Sequence, residues 1–216
     1  MQNIYILYLH SLFVQYVGLA PPKSIGMVGE LGLFDLTNGL FIVVSVLISF
    51  GALIGKVSVK EMLFITMIEP IFIVINNCIG NGAGTPIHAM DTGGSIFIHL
   101  FGALFGLAIS YVKRFSSLTD SNGSSYFGDQ SAMIGTLFLL IGWPSFNGAV
   151  AIYTGDGGRG QAIAMINTVL ALSGGTVVAI ITSRLFRGKF AMVDVQNATL
   201  AAGTYVRNLI IRLFLK

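Results

Sequence analysis

Of 216 residues, 54% are hydrophobic and only 10% are charged, against roughly 25% charged in an average soluble domain. A mean hydropathy of +0.82 and 27 glycines suit helices packed closely in lipid, and exclude a soluble enzyme or a disordered chain. The net charge of +3 is no nucleic-acid signature, because the basic residues sit in short clusters between apolar runs, and the single cysteine, Cys78, allows neither an internal disulfide nor a cysteine-based zinc site.

A helix needs about 20 mostly apolar residues to cross a bilayer. Six stretches qualify in chain order: Asn3 to Ala20, Leu36 to Gly55, Glu61 to Gly80, Asp91 to Val112, Ala132 to Tyr153 and Ala162 to Phe186. The first is diluted by Gln2, Asn3, His10 and Gln15, and neither a basic n-region nor a small-residue cleavage site marks it as a signal peptide. Asp194 to Gly203 begins like a seventh span. Tyr205 to Lys216 is basic and amphipathic, with Leu209, Ile210, Leu213 and Phe214 able to form one face against a membrane surface. The predicted fold class is therefore all-α, a polytopic membrane protein.

Orientation follows from the basic residues in the connections. Lys56, Lys60, Lys113, Arg114, Arg184, Arg187 and Lys189 fall on one side, and only Lys23 and Arg159 on the other. The richer side is cytoplasmic. The connections around Pro21-Pro22, Gly80 to Met90 and Thr154 to Gln161 then face out, and the Ser/Gly-rich connection Arg114 to Asp129 faces in. Asn122-Gly123-Ser124 is a glycosylation sequon on the wrong side for use.

Ionisable groups inside spans cost about 2.5–3.5 kcal/mol each on insertion scales, so each one present requires a reason. Glu69, Asp91 and His99 are the candidates. A neutral imidazole offers one donor and one acceptor and can relay a proton without adding charge; the same ring could equally serve as a buried hydrogen-bonding group between helices. On a straight helix Asp91 would stand about 12 Å above His99 and about 80° around from it, and it could cap the first-turn amides. Glu69 precedes Pro70, which frees a backbone carbonyl, and a protonated Glu69 could hydrogen-bond a neighbouring helix. Gly102 and Gly106 form a small-xxx-small pair suited to close helix contact, and Phe97, Phe101 and Phe105 form a packing stripe. Ser95 and His99 are four apart, but no nucleophile elbow or third supporting residue accompanies them. His10 and His88 lie near or beyond the far ends of their segments, so neither a metal nor another cofactor is expected.

Four motifs carry a resemblance to a known family. Asp91-x-Gly93-Gly94-Ser95-x-x-x-His99-x-Phe101-Gly102-Ala103-x-Phe105-Gly106-Leu107 resembles the fifth-helix signature of the ammonium transporter/Rhesus (Amt/Rh) family, Rhesus branch. Ala132 to Leu139 with Trp143-Pro144-Ser145-Phe146-Asn147, Val195 to Ala201, and Ser49-Phe50-Gly51-Ala52-x-x-Gly55-Lys56 are similar to further Rhesus-type motifs in the same order. The likeness is strongest over residues 37–203, and the tail 204–216 is atypical.

The resemblance implies a single ammonium transporter-like transmembrane domain over residues 1–216, holding six or seven of the family's eleven to twelve spans. It implies a homotrimer with one pore per subunit, no enzymatic activity, and a multi-pass position in a membrane, expected to be the plasma membrane. By motif position His99 is the first pore-lining histidine, Asp91 the cation-stabilising acid, and Phe41 and Phe146 the phenylalanine gate. The family's second pore histidine is expected beyond this chain. Ammonia or ammonium would be the substrate and lipids the surroundings, with no nucleic-acid partner. Ammonium would be attracted by the aromatic mouth and shed its proton, letting ammonia cross an apolar lumen that excludes ions. The alternative is a non-transporting structural homologue, or an inactive fragment without the second half of the pore.

Overall fold

The computed structural model describes residues 33–81, 87, 89, 91, 93–113, 125–151 and 158–204. The predicted span Asn3 to Ala20, the sequon at Asn122, His10, His88 and the tail after Thr204 lie outside them. The chain divides into two compact units, Met1–Asn122 and Gly123–Lys216.

In the first unit, α1 runs over Leu33–Leu53 and α2 over Val59–Asn81. A six-residue π-helix, Ser95–Leu100, continues directly into α3, Phe101–Val112. The tight α1–α2 link is written in local chemistry. Ser58 Oγ and the Glu61 carboxylate form a reciprocal capping box, with Ser58 N donating to Glu61 Oε2 at 2.8 Å and Glu61 N to Ser58 Oγ at 3.4 Å. Side chains on α1 repeat with helical period: Ile42, Ser45, Val46, Ser49 and Leu53 are buried, while Leu40, Val44, Leu47 and Ile54 face outward. An apolar outward face is the arrangement expected where the surroundings are lipid or further helices.

Cross-helix bonds fix the register. Ser45 meets Ile98 and Ser49 meets Gly102, both at a sequence separation of 53, so α1 and the π/α3 helix run parallel. The α2 helix runs antiparallel to α3. Lys113 pairs with Glu61 at one end, the Phe72 and Phe105 rings lie 5.9 Å apart midway, and Phe97 packs over Gly80 at the other end. Two parallel helices with an antiparallel one between them in sequence is the order that consecutive crossings demand. Phe101 stacks on Phe105 with centroids 5.7 Å apart, so the phenylalanine stripe is packing, as its spacing suggested.

The second unit repeats this plan with α4 (Tyr126–Val150), α5 (Arg159–Arg187) and α6 (Met192–Thr204). Asn147 bonds Thr168, and Thr176 bonds Thr199, so α4/α5 and α5/α6 are antiparallel neighbours. Asn147 to Gly203 and Gln196 to Asp129 tie α4 to α6. By length and composition, Ser95–Val112, Tyr126–Val150 and Arg159–Arg187 can each cross a membrane, and Gly39–Leu53 is a shorter apolar helix. The α4 helix starts six residues before the predicted Ala132. Ser125 caps it, accepting from Gly128 N at 3.1 Å, and the first turns are polar. Apolar patterning marks the hydrocarbon crossing and not the helical extension beyond it.

Candidate functional site

Phe41, Asp91 and His99 belong to the first unit, and Phe146 to the second. The segment carrying Asp91 and His99 is shaped before its helix begins. Gly93 and Gly94 adopt φ of 83° and 74°, left-handed values that would cost a side chain about 1–2 kcal/mol each. This turn brings the Asp91 carboxylate back onto the helix start. Its Oδ2 accepts from Ile96 N at 2.9 Å and from Phe97 N at 2.8 Å, satisfying two amides that have no partner within the helix. Oδ1 is buried and makes no hydrogen bond among the described residues. The capping role considered from sequence is thus present. The straight-helix geometry is not: the helix begins at Ser95, and Asp91 stands outside it.

The helix opens wide. Gly94 O accepts from both Ile98 N (3.0 Å) and His99 N (2.9 Å), and Phe101 N reaches Ile96 O, five residues back. Phe101 N also reaches Ile98 O. From α1, Ser45 Oγ donates to that same carbonyl at 3.1 Å, using its second lone pair. His99, half-buried, therefore sits on a π turn held by a carboxylate cap on one side and by a hydroxyl from α1 on the other. Phe41 lies one turn before Ser45 on α1 and continues the row Phe41, Ser45, Ser49.

One turn further along, the helices nearly touch. A Cβ at Gly102 would stand 2.6 Å from Ser45 O, and one at Gly106 2.8 Å from Ser49 Cα and O. The small-xxx-small pair predicted from sequence is a close helix contact, and its partners are the serine pair Ser45 and Ser49. Ser45 was not singled out from the sequence, and Ser49 entered only as the first residue of a family motif; two small hydroxyls four apart in an apolar helix were the available signal. Lys56 bonds Ser110 at the far end of the same contact.

Phe146 is half-buried on α4, beside the fully engaged Asn147. The Asn147 amide donates to Thr168 Oγ1 at 2.9 Å and to Gly203 O at 3.4 Å, and Thr168 donates to Ala164 O at 2.7 Å. An amide bonded to two neighbouring helices fixes the rotation of α4, and with it the direction in which Phe146 leaves the helix. No cluster of three or more metal-ligating side chains occurs among the described residues.

Apolar helices of spanning length, joined edge to edge by buried polar bonds, define a multi-pass helical integral membrane protein. The model of the Ammonium Transporter Family matches residues 31–205. The chain is 44% identical over 179 residues to Rhesus-like glycoprotein A of Dictyostelium discoideum, covering 81% of this chain and 33% of that protein. It is 43% identical over 183 residues to ammonium transporter Rh type C of Tetraodon nigroviridis (82% and 37%). It is 42% identical over 181 residues to ammonium transporter Rh type A of Canis lupus familiaris (82% and 42%). The chain belongs to the ammonium transporter family, a family of transporters and not of enzymes. It spans about a third of the length of the first two of these curated relatives.

Proposed function

We propose that this chain forms part of a Rhesus-type conduit for ammonia and ammonium in a plasma membrane, with both units belonging to one transporter-like domain of a homotrimer. Phe41 and Phe146 form the aromatic gate at the outer mouth, where cation–π attraction offsets part of the cost of stripping water from ammonium. Asp91 stabilises the cation at the entrance while it holds the amides of Ile96 and Phe97. His99 lines the lumen, where its neutral imidazole hydrogen-bonds ammonia and relays the proton that ammonium gives up.

The observation carrying this reading is the construction around His99. Two left-handed glycines, a carboxylate cap and a serine from another helix all converge on one short π turn. Wide turns of this kind concentrate at functional sites, and irregular backbone at membrane depth is tolerated where it is buried in protein or lines a cavity.

Methylammonium uptake by cells expressing the protein tests it. Uptake above control cells, cut about tenfold by His99→Ala, is the expected result and corresponds to loss of roughly 1.4 kcal/mol of transition-state stabilisation. Uptake unchanged by His99→Ala removes the lumen assignment. Uptake equal to control cells favours the non-transporting structural homologue.

A further inference from the structure

Glu69 lies in the middle of α2 and is 0% exposed. Its Oε1 is 2.5 Å from Ser49 Oγ on α1, and the same Ser49 Oγ is 2.8 Å from Gly102 O on α3. Both distances fall within the range for O–H···O bonds. A serine hydroxyl, however, carries one proton. A carbonyl can only accept, and so can an ionised carboxylate. If Glu69 were ionised, two acceptors would compete for one hydrogen, and one of the two short oxygen–oxygen contacts would be repulsive. The buried anion would also stand without a cation. Glu69 makes no salt bridge among the described residues. Of the charged groups on the packed elements, Lys113 is engaged by Glu61 and Lys56 by Ser110, while His99 stands three residues before Gly102 on the π turn.

We propose that Glu69 is held as the neutral acid and is the first donor of a directed chain, Glu69 O–H to Ser49 Oγ, then Ser49 O–H to the Gly102 carbonyl. Every proton then has one acceptor. The remaining oxygen, Oε2, has no partner among the described residues, which costs far less for a neutral carbonyl than for a buried anion. The chain ties α2 to α3 through α1, one turn beyond the Ser45–Ile98 bond that holds the π turn. Glu69 is thereby a positioning residue for the segment bearing His99. The protonation claim stands apart from the transport reading; the consequence for His99 rests on it.

Infrared spectroscopy of the purified protein in lipid bilayers at neutral pH decides the first point without any transport measurement. The expected result is a protonated-carboxyl carbonyl band lost in Glu69→Gln, with no carboxylate band lost. Loss of a carboxylate band in its place overturns the proposal. Ser49→Ala removes the acceptor and the relay, so the band should shift to higher frequency; a band that stays put overturns the chain, even if Glu69→Gln fails to fold. Backbone hydrogen exchange then reads the positioning. Glu69→Gln retains a donor for Ser49, so its exchange over residues 98–106 should match the native protein, whereas Ser49→Ala should exchange several-fold faster. Equal exchange in the native protein and Ser49→Ala refutes the positioning role. Native methylammonium uptake equal to control cells would fail the transport reading alone and leave the infrared result intact.

Discussion

The contact between α1 and α3 permits a quantitative test through Gly106→Ala. A Cβ at this position would stand 2.8 Å from both Cα and O of Ser49 and 3.1 Å from the Ala52 Cβ, where ordinary contact begins at 3.4 Å. Backbone atoms cannot swing aside as a side chain can, so the helices must part by about 0.6 Å or more. Overpacking of this kind costs about 1–3 kcal/mol. The bonds Ser45–Ile98 and Ser49–Gly102, at 3.1 and 2.8 Å, stretch toward the limit of a useful hydrogen bond, losing about 0.6 kcal/mol each at the average measured for interhelical bonds in a membrane. Alanine returns about 1 kcal/mol of helix propensity over glycine. The net is a destabilisation of about 1–3 kcal/mol. Gly51 and Gly135 have no neighbour within 4 Å of a built Cβ, so Gly51→Ala and Gly135→Ala should be neutral or gain up to about 1 kcal/mol. The assay is denaturant titration of the protein in mixed micelles, with the two control substitutions in parallel. Gly106→Ala unfolding at the same midpoint as Gly135→Ala would refute the reasoning.

Three further substitutions probe the other joints. Asp91→Ala removes two bonds to the amides of Ile96 and Phe97 and should destabilise by about 1–2 kcal/mol, with Asp91→Asn recovering part of the loss; equal stability of Ala and Asn variants in the same titration would count against the cap. Gly94→Ala forces a side chain into φ 74° and against the Ile98 side chain. It should cost at least about 1–2 kcal/mol and raise amide exchange over residues 95–101, and an unchanged exchange pattern would show that the turn is not held as described. Asn147→Ala leaves Thr168 and the Gly203 carbonyl without their amide donor and should cost about 1–3 kcal/mol, read as a lower unfolding midpoint for the unit containing α4 to α6.

The crossings Ser95–Val112, Tyr126–Val150 and Arg159–Arg187 were legible because burial in lipid demands long apolar runs, while the capping box of Ser58 and Glu61 at the start of α2 came only with the structure. The start of α4 was not legible, since polar helix outside the hydrocarbon leaves no hydropathy signal. The capping role of Asp91 was legible, but its spacing from His99 was not, because consecutive left-handed residues at Gly93 and Gly94 cannot be inferred from composition when glycine is also common inside membrane helices. Gly102 and Gly106 announced a close contact without naming its partner. That they face Ser45 and Ser49 depends on a three-dimensional register that no local pattern encodes. Glu69 was expected to bond a neighbouring helix, and it does; the serine that receives it emerged only from the packing. The roles of Phe41, Asp91, His99 and Phe146 were drawn from family motifs, since an aromatic or an imidazole in an apolar run has no spacing that tells lumen from core.

Both units solve one problem by one means. Between helices in lipid, apolar burial drives little association, because a leucine meets hydrocarbon whether the helices touch or not. What discriminates the native arrangement is close backbone approach and the few polar groups that find partners only there. In the first unit these are Gly102 and Gly106 against Ser45 and Ser49, with Glu69 joining the third helix. In the second they are Asn147 with Thr168 and Gly203, then Thr176 with Thr199. Each unit pairs two parallel helices and threads an antiparallel one between them in sequence, so each polar group also selects among registers: sliding α1 by one turn so that Ser49 meets the Ile98 carbonyl would bring Leu53 to the Gly102 level and leave Glu69 facing no hydroxyl. A neutral carboxyl O–H buried without an acceptor costs about 1–3 kcal/mol, comparable to the overpacking at Gly106, so Glu69 adds to the glycine–serine contact in disfavouring that slip and in holding the π turn that carries His99.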